Sequence, residues 1–251
     1  CSPTRATLLT GREPHAVGFG SLAEELADNQ KGASAYAGAL SVDVTTLPRL
    51  LQFAGYRTYM AGKWHLGFEA GRGPAFFGFD ESIAMLDGGA SHFADMKPAY
   101  APDPQAVARY TRNDELLREL PEDFAYSSQF YADRLVEFIG DQPEQPFFGY
   151  LSFTAPHWPL QAPDEAIAEF LDRYQAGYEV LRAERLASLK SLGLVPADTA
   201  QSTLPPKVRP WDSLSPEQQI REARGMAVYA AMVAQIDEQD GNVISHLQAI
   251  G

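Results

Sequence analysis

The chain has 251 residues and a formal net charge of −13, from 33 acidic and 20 basic side chains. A surface of this sign repels phosphate backbones, and no basic run interleaved with aromatic residues occurs, so we expect no nucleic-acid partner. No stretch of about 18 or more apolar residues occurs, so we expect no membrane span. The single cysteine excludes an internal disulfide, and the five scattered histidines form no Cys/His zinc pattern.

The first twelve residues, C-S-P-T-R-A-T-L-L-T-G-R, combine a reactive side chain with a helix start. Pro3 suits the first helical turn, and residues 6–9 can continue the helix until Gly11 ends it. Cys1 then lies at the helix N-terminus, where free N–H groups and the helix dipole stabilise an anion such as sulfate. Arg5 shares a helical face with Cys1 and can donate hydrogen bonds to oxygen atoms carried there.

Three other interpretations of Cys1 stay open at this point. A lone cysteine is often a small buried apolar side chain. A first-residue cysteine can also be a lipid anchor or an N-terminal nucleophile whose own α-amine is the base. The helix-forming stretch after Cys1 disfavours the lipid anchor, which is usually followed by a flexible polar linker.

Helices and buried strands are predicted to alternate along the next hundred residues. A short helix is predicted over residues 45–54 with Gly55 as its C-terminal cap, and a buried strand over 56–60 follows it. Residues 71–121 keep no period and are rich in Gly, Pro and Asp, so we expect long loops with short strands. An amphipathic helix over 131–139 should end near residues 141–143.

The second half of the chain continues this alternation. Residues 146–153 form a compact apolar run typical of a strand buried on both faces. We expect a long surface helix over 164–194, a Pro/Ser/Thr-rich excursion over 196–214, and another helix from Pro216 onward. Gly241 should lie on the polar side of that last helix. Because no repeat or domain linker is found, this order predicts one α/β layer structure.

Lys63 and His65 lie in G-K-W-H-L-G, which follows the strand predicted at 56–60. In an extended segment, residues two apart project to one side, so these side chains can converge on one ligand. The alternative is a solvated lysine beside a structural histidine. His157, in F-T-A-P-H-W-P-L-Q-A-P, follows the predicted strand 146–153 at the end where α/β folds place function.

The remaining titratable groups carry weaker signals. His92 follows a glycine pair, and the residues alone give it no chemical role. We expect His15 and His246 to be structural or solvent-facing. The acidic cluster of Asp237, Glu238 and Asp240 has helical spacing and no turn, which favours a solvated helix face over a metal site.

These motifs together resemble the type I sulfatases, the formylglycine-dependent family, and in particular bacterial arylsulfatases. The resemblance covers essentially the whole chain. It implies an alkaline-phosphatase-like α/β fold, a mixed sheet sandwiched by helices and incomplete here, with residues 1–251 forming part of the catalytic domain. Because the family's other metal-binding residues precede the cysteine or follow the last residues here, we expect an internal fragment that is inactive by itself.

The resemblance also implies the chemistry of Cys1. In this family the cysteine is oxidised by a formylglycine-generating enzyme to formylglycine, whose hydrate is the nucleophile that attacks the sulfur of a small-molecule sulfate ester. The same residue is implied as a ligand of Ca²⁺ or Mg²⁺, with the remaining ligands outside this chain. Arg5 completes the C-x-P-x-R motif and is implied as a catalytic residue beside it.

Roles for the other polar residues follow from the same resemblance. Lys63 is implied to bind a sulfate oxygen, and His65 to hydrogen-bond the formylglycine hydroxyl and accept its proton when the enzyme is regenerated. His157 is implied to bind sulfate and to protonate the leaving group. His92 is implied only as a residue near the substrate pocket.

Two alternative functions stay open. A phosphonate or phosphodiester hydrolase of the same superfamily can share the formylglycine motif, and a non-catalytic binding relic can keep the fold without the reaction. The sequence names neither the physiological sulfate ester nor the oligomeric state. Bacterial cytoplasm and periplasm both remain open as compartments.

Overall fold

The computed structural model describes residues 1–69, 71–100, 103, 105–141 and 144–251. They form two compact units, residues 1–159 with 235–251 and residues 160–234. The assignment of 1–251 to one partial catalytic domain stays a prediction. Within the described ranges, no helix combines the length and the apolar character needed to cross a bilayer.

The first unit is built on a five-stranded sheet. Its elements in chain order are α1 (Ser2–Thr10), α2 (Leu47–Phe53), β1 (Arg57–Lys63), β2 (Glu81–Met85), β3 (Tyr110–Arg112), β4 (Glu115–Leu117), α3 (Ser127–Ile139) and β5 (Phe147–Ser152). The strand order is β4-β3-β2-β1-β5. Strand β1 runs parallel to β2 and β5, whereas β3 and β4 pair antiparallel, so the sheet is mixed as predicted.

Helices cover both faces of this sheet. Side chains alternate along β1, so Tyr59 and Ala61 join one buried cluster and Met60 joins another. The first cluster includes most of the apolar face of α3, and the second includes Ala6 and Leu9 of α1. The expectation of an α/β fold with a sheet between helices is confirmed, and it sets α1 beside the carboxyl end of β1.

The positions of the predicted elements agree with the structure in the first unit, but one burial pattern does not. Helices α2 and α3, the long loops and the short strands β2 to β4 lie where the sequence predicts them. Residues 142 and 143, expected near the end of α3, lie outside the described residues. The prediction that the strand at 146–153 is buried on both faces is wrong, because β5 pairs with β1 alone among the described strands and is mostly half-buried.

The second unit corrects the predicted helix over 164–194. The structure has α4 (Asp164–Ala168) and α5 (Tyr178–Ser191), separated by turns over residues 169–177. Gly177 has φ +88°, which cannot continue a right-handed helix, and a Cβ there would lie 2.4 Å from the Trp211 ring. The excursion over 196–214 contains only a 3₁₀ turn at Trp211–Ser213.

The last predicted helix is confirmed as α6 (Pro216–Ile250), and its residues from 235 onward are counted with the first unit. Gly241 is exposed on it, as predicted. Asp237, Glu238 and Asp240 are exposed as well, which confirms the interpretation of a solvated face.

Candidate active site

Cys1 lies at the start of α1, as the first twelve residues predict. It is the N-cap of the helix, Pro3 occupies the first turn, and Gly11 ends the helix in the left-handed conformation with φ +64°. The N–H of Gly11 donates to the carbonyl oxygen of Thr7 at 2.8 Å. The Cys1 side chain is exposed, so the interpretation as a buried apolar cysteine is wrong.

Lys63 and His65 converge on Cys1. The Lys63 ammonium donates to Sγ of Cys1 at 3.2 Å, and Nδ1 of His65 lies 3.3 Å from the same sulfur. Lys63 is the last residue of β1, but His65 has φ +54°, so the segment is not extended through His65 as expected. The two side chains meet because the backbone turns after the strand.

Arg5 ties α1 to the sheet. Its Nη1 donates to the carbonyl oxygen of Lys63 at 2.6 Å and to the hydroxyl of Tyr150 at 3.3 Å, and it also binds the hydroxyl of Ser152. The structure therefore shows Arg5 holding the ends of β1 and β5 together. Its expected hydrogen bonds to oxygen atoms at Cys1 stay a prediction.

Glu24 is a residue of the site that no sequence motif indicates. Its Oε1 lies 3.4 Å from Nε2 of His65, so one imidazole faces Cys1 through Nδ1 and a carboxylate through Nε2. The hydrogen bond with His65 lowers the pKa of Glu24 to about 2. A lone glutamate in a polar segment belongs to no motif, so the sequence indicates no role for it.

Burial lowers the pKa of both groups that contact Cys1. Lys63 is 2% exposed, and burial lowers its pKa to about 8, with the charge of Arg5 acting in the same direction. Burial also lowers the pKa of His65, which the hydrogen bond with Glu24 only partly offsets. At neutral pH the site therefore presents an ammonium and a neutral imidazole to Cys1.

The glycine pair Gly88–Gly89 makes room for the site. The carbonyl oxygen of Gly88 accepts a hydrogen bond from the Lys63 ammonium. A Cβ on Gly88 would lie 2.9 Å from Cε1 of His65, and a Cβ on Gly89 would lie 3.0 Å from the His157 ring. A side chain at either position would crowd one of these rings, and the glycine backbone links the Lys63 side of the site with the His157 side.

His157 follows β5, as predicted, and its ring is half-buried. Its Nδ1 lies 2.6 Å from the carbonyl oxygen of Trp158, which assigns the proton of the neutral ring to Nδ1 and the lone pair to Nε2. Burial lowers the pKa of His157, and the nearby charge of Lys63 lowers it further. In the free protein the imidazole is therefore biased toward the neutral form.

His92 lies behind the site and lines no entrance. It is fully buried, with Nδ1 2.9 Å from the Ser127 hydroxyl and Nε2 2.9 Å from the carbonyl oxygen of His157. This corrects the expectation of a substrate-binding residue: the ring has no open surface, and it supports the backbone of His157 instead. The burial of His92 depends on Ser127 and His157, which lie far from it along the chain.

The buried His92 should make the protein less stable in acid. Burial lowers its pKa, so below about pH 6.5 the unfolded chain binds a proton that the folded protein resists. We expect the free energy of unfolding to fall on acidification, by up to about 1.4 kcal/mol per pH unit from this group. Denaturant titrations near neutral pH and near the pH of an acetate buffer measure it.

The matched variant for this test is His92→Gln, which keeps polar atoms but cannot take up the proton. It should be less stable than the parent at neutral pH, because a buried hydrogen-bond network is altered. Its loss of stability on acidification should be smaller than that of the parent. Equal losses in the two proteins would contradict a neutral, buried His92.

The described residues offer no metal centre. Nowhere in the ranges that the structure describes do three His, Cys, Asp or Glu side chains come together in a suitable cluster. The groups that contact Cys1 are an ammonium and an imidazole, which do not form a carboxylate shell for a hard cation. The other histidines are structural or exposed as expected: His15 packs on Tyr36, and His246 binds the carbonyl oxygen of Gly140.

Comparisons with known proteins place the whole chain in one family. Residues 1–250 match a protein-family model described as Sulfatase. An arylsulfatase of Klebsiella aerogenes is 42% identical over 251 residues, covering 100% of this chain and 53% of that protein. An uncharacterised sulfatase of Schizosaccharomyces pombe is 41% identical over 263 residues, covering 100% of this chain and 47% of that protein. The chain thus spans about half the length of the curated relatives it matches.

Solved structures support the same fold. The crystal structure of Ps i-CgsB superposes on the whole chain with a TM-score of 0.63 at 23% identity and covers 45% of that protein. BT4656, solved in complex with its substrate D-glucosamine-2-N,6-O-disulfate, gives a TM-score of 0.59 at 20% identity, over 100% of this chain and 53% of that one. The match of the Sulfatase model to residues 1–250 shows that the chain belongs to the sulfatase family.

Proposed function

We propose that the whole protein hydrolyses sulfate esters in the manner of an arylsulfatase, with a nucleophile made from Cys1. The observation that carries this proposal is the convergence of Lys63 and His65 on Cys1 at the N-terminus of α1. The relative from Klebsiella aerogenes, which is named an arylsulfatase, supports the same reaction class.

The nucleophile in this proposal is formylglycine, produced by oxidation of the Cys1 thiol. Its hydrate supplies a hydroxyl that attacks sulfur, and the surroundings of Cys1 suit it, because Lys63 and His65 already lie at hydrogen-bonding distance from the side chain. A divalent cation, Ca²⁺ or Mg²⁺, stays part of the proposal for the whole protein with Cys1 as one ligand. The described residues supply no further ligand cluster for it.

Lys63 is the group that binds the sulfate oxygens. Its ammonium is 2% exposed and fixed between Sγ of Cys1 and the carbonyl oxygen of Gly88, so it needs little reorganisation when an anion arrives. A preorganised charge in a poorly solvated site stabilises a transition state far more than the same charge does in water. The N-terminus of α1 adds N–H groups and a favourable dipole at the same place.

The two histidines divide the proton transfers. His65 is biased toward the neutral form, so Nδ1 can accept a proton from a hydroxyl carried at position 1. His157 must give a proton to the leaving oxygen. Burial and nearby cations lower its pKa in the free protein, and a bound sulfate anion opposes those cations, so protonation of His157 accompanies substrate binding.

Conversion of Cys1 is the first test. When the whole protein is produced together with a formylglycine-generating enzyme, we expect the Cys1 thiol to be replaced by an aldehyde, because Cys1, Pro3 and Arg5 form the recognition motif of the family. Mass spectrometry of the peptide that contains Cys1 measures the change from a CH₂SH to a CHO group. A thiol that stays intact under these conditions would contradict the proposed nucleophile.

Measurements of substrate turnover distinguish the proposed function from the two alternatives. Relative kcat/KM for an aryl sulfate and an aryl phosphodiester distinguishes a sulfatase from a phosphodiester hydrolase of the same superfamily. Turnover of neither substrate by the converted protein, together with no binding of sulfate, is the result expected of a non-catalytic relic.

A further inference from the structure

His65 has a carboxylate on the side of its ring that faces away from Cys1. Its Nδ1 lies 3.3 Å from Sγ of Cys1, and its Nε2 lies 3.4 Å from Oε1 of Glu24, so the imidazole stands between the two. The His65 side chain is 12% exposed, whereas that of Glu24 is 57% exposed. The carboxylate therefore reaches a mostly enclosed ring from the solvent side.

The fold holds both partners of this contact in position. His65 packs against the backbone of Gly88, where an added Cβ would lie 2.9 Å from Cε1 and 3.0 Å from Nε2 of the ring. Glu24 belongs to the 3₁₀ turn Ala23–Glu25, and a Cβ on Gly38 would lie 2.8 Å from the Cβ of Ala23. The ring and the turn that carries the carboxylate are thus each packed closely on a glycine.

We propose that Glu24 is the positioning residue of His65: it keeps the ring proton on Nε2, so that Nδ1 presents a lone pair to the side chain at position 1. This inference rests on the proposed function. An ionised carboxylate only accepts hydrogen bonds, so the hydrogen between Glu24 and His65 must belong to Nε2. The pKa of Glu24, about 2, keeps the carboxylate ionised at neutral pH.

A lone pair on Nδ1 complements the other group that contacts Cys1. The Lys63 ammonium only donates hydrogen bonds, and it lies 3.2 Å from Sγ. A hydroxyl at position 1 needs an acceptor for its hydrogen, and of these two neighbours only His65 can supply one. In the proposed function that hydrogen passes to Nδ1 as a proton, and the electron pair of the O–H bond stays on oxygen. The proton on Nε2 stays beside Glu24, whose negative charge stabilises the imidazolium that forms.

The position of the ring proton is measured first. The whole protein is labelled with ¹⁵N in its histidine rings and kept at about pH 8, where imidazole is neutral, so that NMR separates protonated from unprotonated ring nitrogens. We expect the His65 signals, identified by their loss in His65→Asn, to show the proton on Nε2. Glu24→Gln keeps the size of the side chain, but its amide can donate to Nε2. The form with the proton on Nδ1 should therefore appear in that variant.

The kinetic test uses the whole protein after conversion of Cys1. Glu24→Gln should lower kcat for 4-nitrophenyl sulfate at least about tenfold, the lower end of the scale for losing a partner that orients a catalytic histidine. KM and the Ki of inorganic sulfate should stay within about twofold, because Lys63 and the N-terminus of α1 still bind the anion. Glu24→Asp keeps the carboxylate on an exposed side chain and should recover most of the lost kcat.

Glu25→Gln is the matched control. Glu25 follows Glu24 in the same turn and is exposed, so removal of its charge should leave the His65 proton, kcat and KM unchanged.

Three results would each overturn the inference: a proton on Nδ1 in the unaltered protein, the same proton position in Glu24→Gln, or a kcat of that variant within about twofold of the parent. If the unaltered protein turns over no sulfate ester, the proposed function itself fails. The NMR spectra then still decide whether Glu24 fixes the ring proton of His65.

Discussion

Replacing Lys63 or His157 with alanine is expected to lower kcat for an aryl sulfate at least about 100-fold in the whole protein, the usual scale for losing one preorganised charge-stabilising group. Lys63 is nearly inaccessible to solvent and is held by Cys1 and Gly88, so water cannot replace its charge. His157 is the group to which the proposed function assigns protonation of the leaving oxygen, and alanine cannot supply that proton. Steady-state kinetics on variants with equal conversion of Cys1 measure both effects.

Lys97→Ala is the control for this experiment. Lys97 is a lysine whose side chain is 78% exposed, and its ammonium pairs with Asp95 at 3.1 Å on the surface. Its loss should change kcat by less than about twofold, because an exposed ion pair contributes little. A Lys63→Ala protein as active as the Lys97→Ala protein would remove Lys63 from the site.

The second large effect concerns Gly62, the residue before Lys63 in β1. Gly62 has φ +123°, where other residues are strained, and a Cβ there would lie 2.0 Å from the carbonyl oxygen of Ser152. Ser152 is its register partner in β5, so the clash is with backbone that is itself hydrogen-bonded. We expect Gly62→Ala to lower the free energy of unfolding by more than about 4 kcal/mol, measured by denaturant titration.

Gly241→Ala is the control, because it makes the same substitution at a position where the added Cβ meets no other atom. Gly241 is exposed in the interior of α6, and no atom lies within 4 Å of a Cβ built there. Alanine should stabilise the helix by roughly 0.5–1 kcal/mol. If the two variants were equally stable, the close approach of β1 and β5 at Gly62 would be wrong.

Much of the site could be predicted because its residues lie next to strong local signals. Pro3 and Gly11 bracket a helix whose start carries Cys1, and an apolar strand leads directly to Lys63. These features depend on neighbouring residues along the chain. The sequence therefore located the groups that meet at Cys1 before their geometry was known.

The features that sequence missed depend on contacts between distant segments. Glu24 reaches His65 across 41 positions, and His92 binds Ser127 across 35. Nothing local to Glu24 or His92 indicates those partners. The start of α5 after Gly177 has the same cause, since the Trp211 ring that occupies the space beside Gly177 lies far along the chain.

The local cations at the site stand in a protein whose overall charge has the opposite sign. Lys63 and Arg5 are largely shielded from solvent, so mobile ions screen their effect on a bound anion only weakly. The acidic surface repels an approaching anion over longer distances than these contacts reach. At an ionic strength near 0.1 M, mobile ions largely screen this repulsion beyond about 10 Å. Added salt therefore weakens the repulsion between the acidic surface and an approaching anion. It has little effect on the interactions of the bound anion with Lys63 and Arg5.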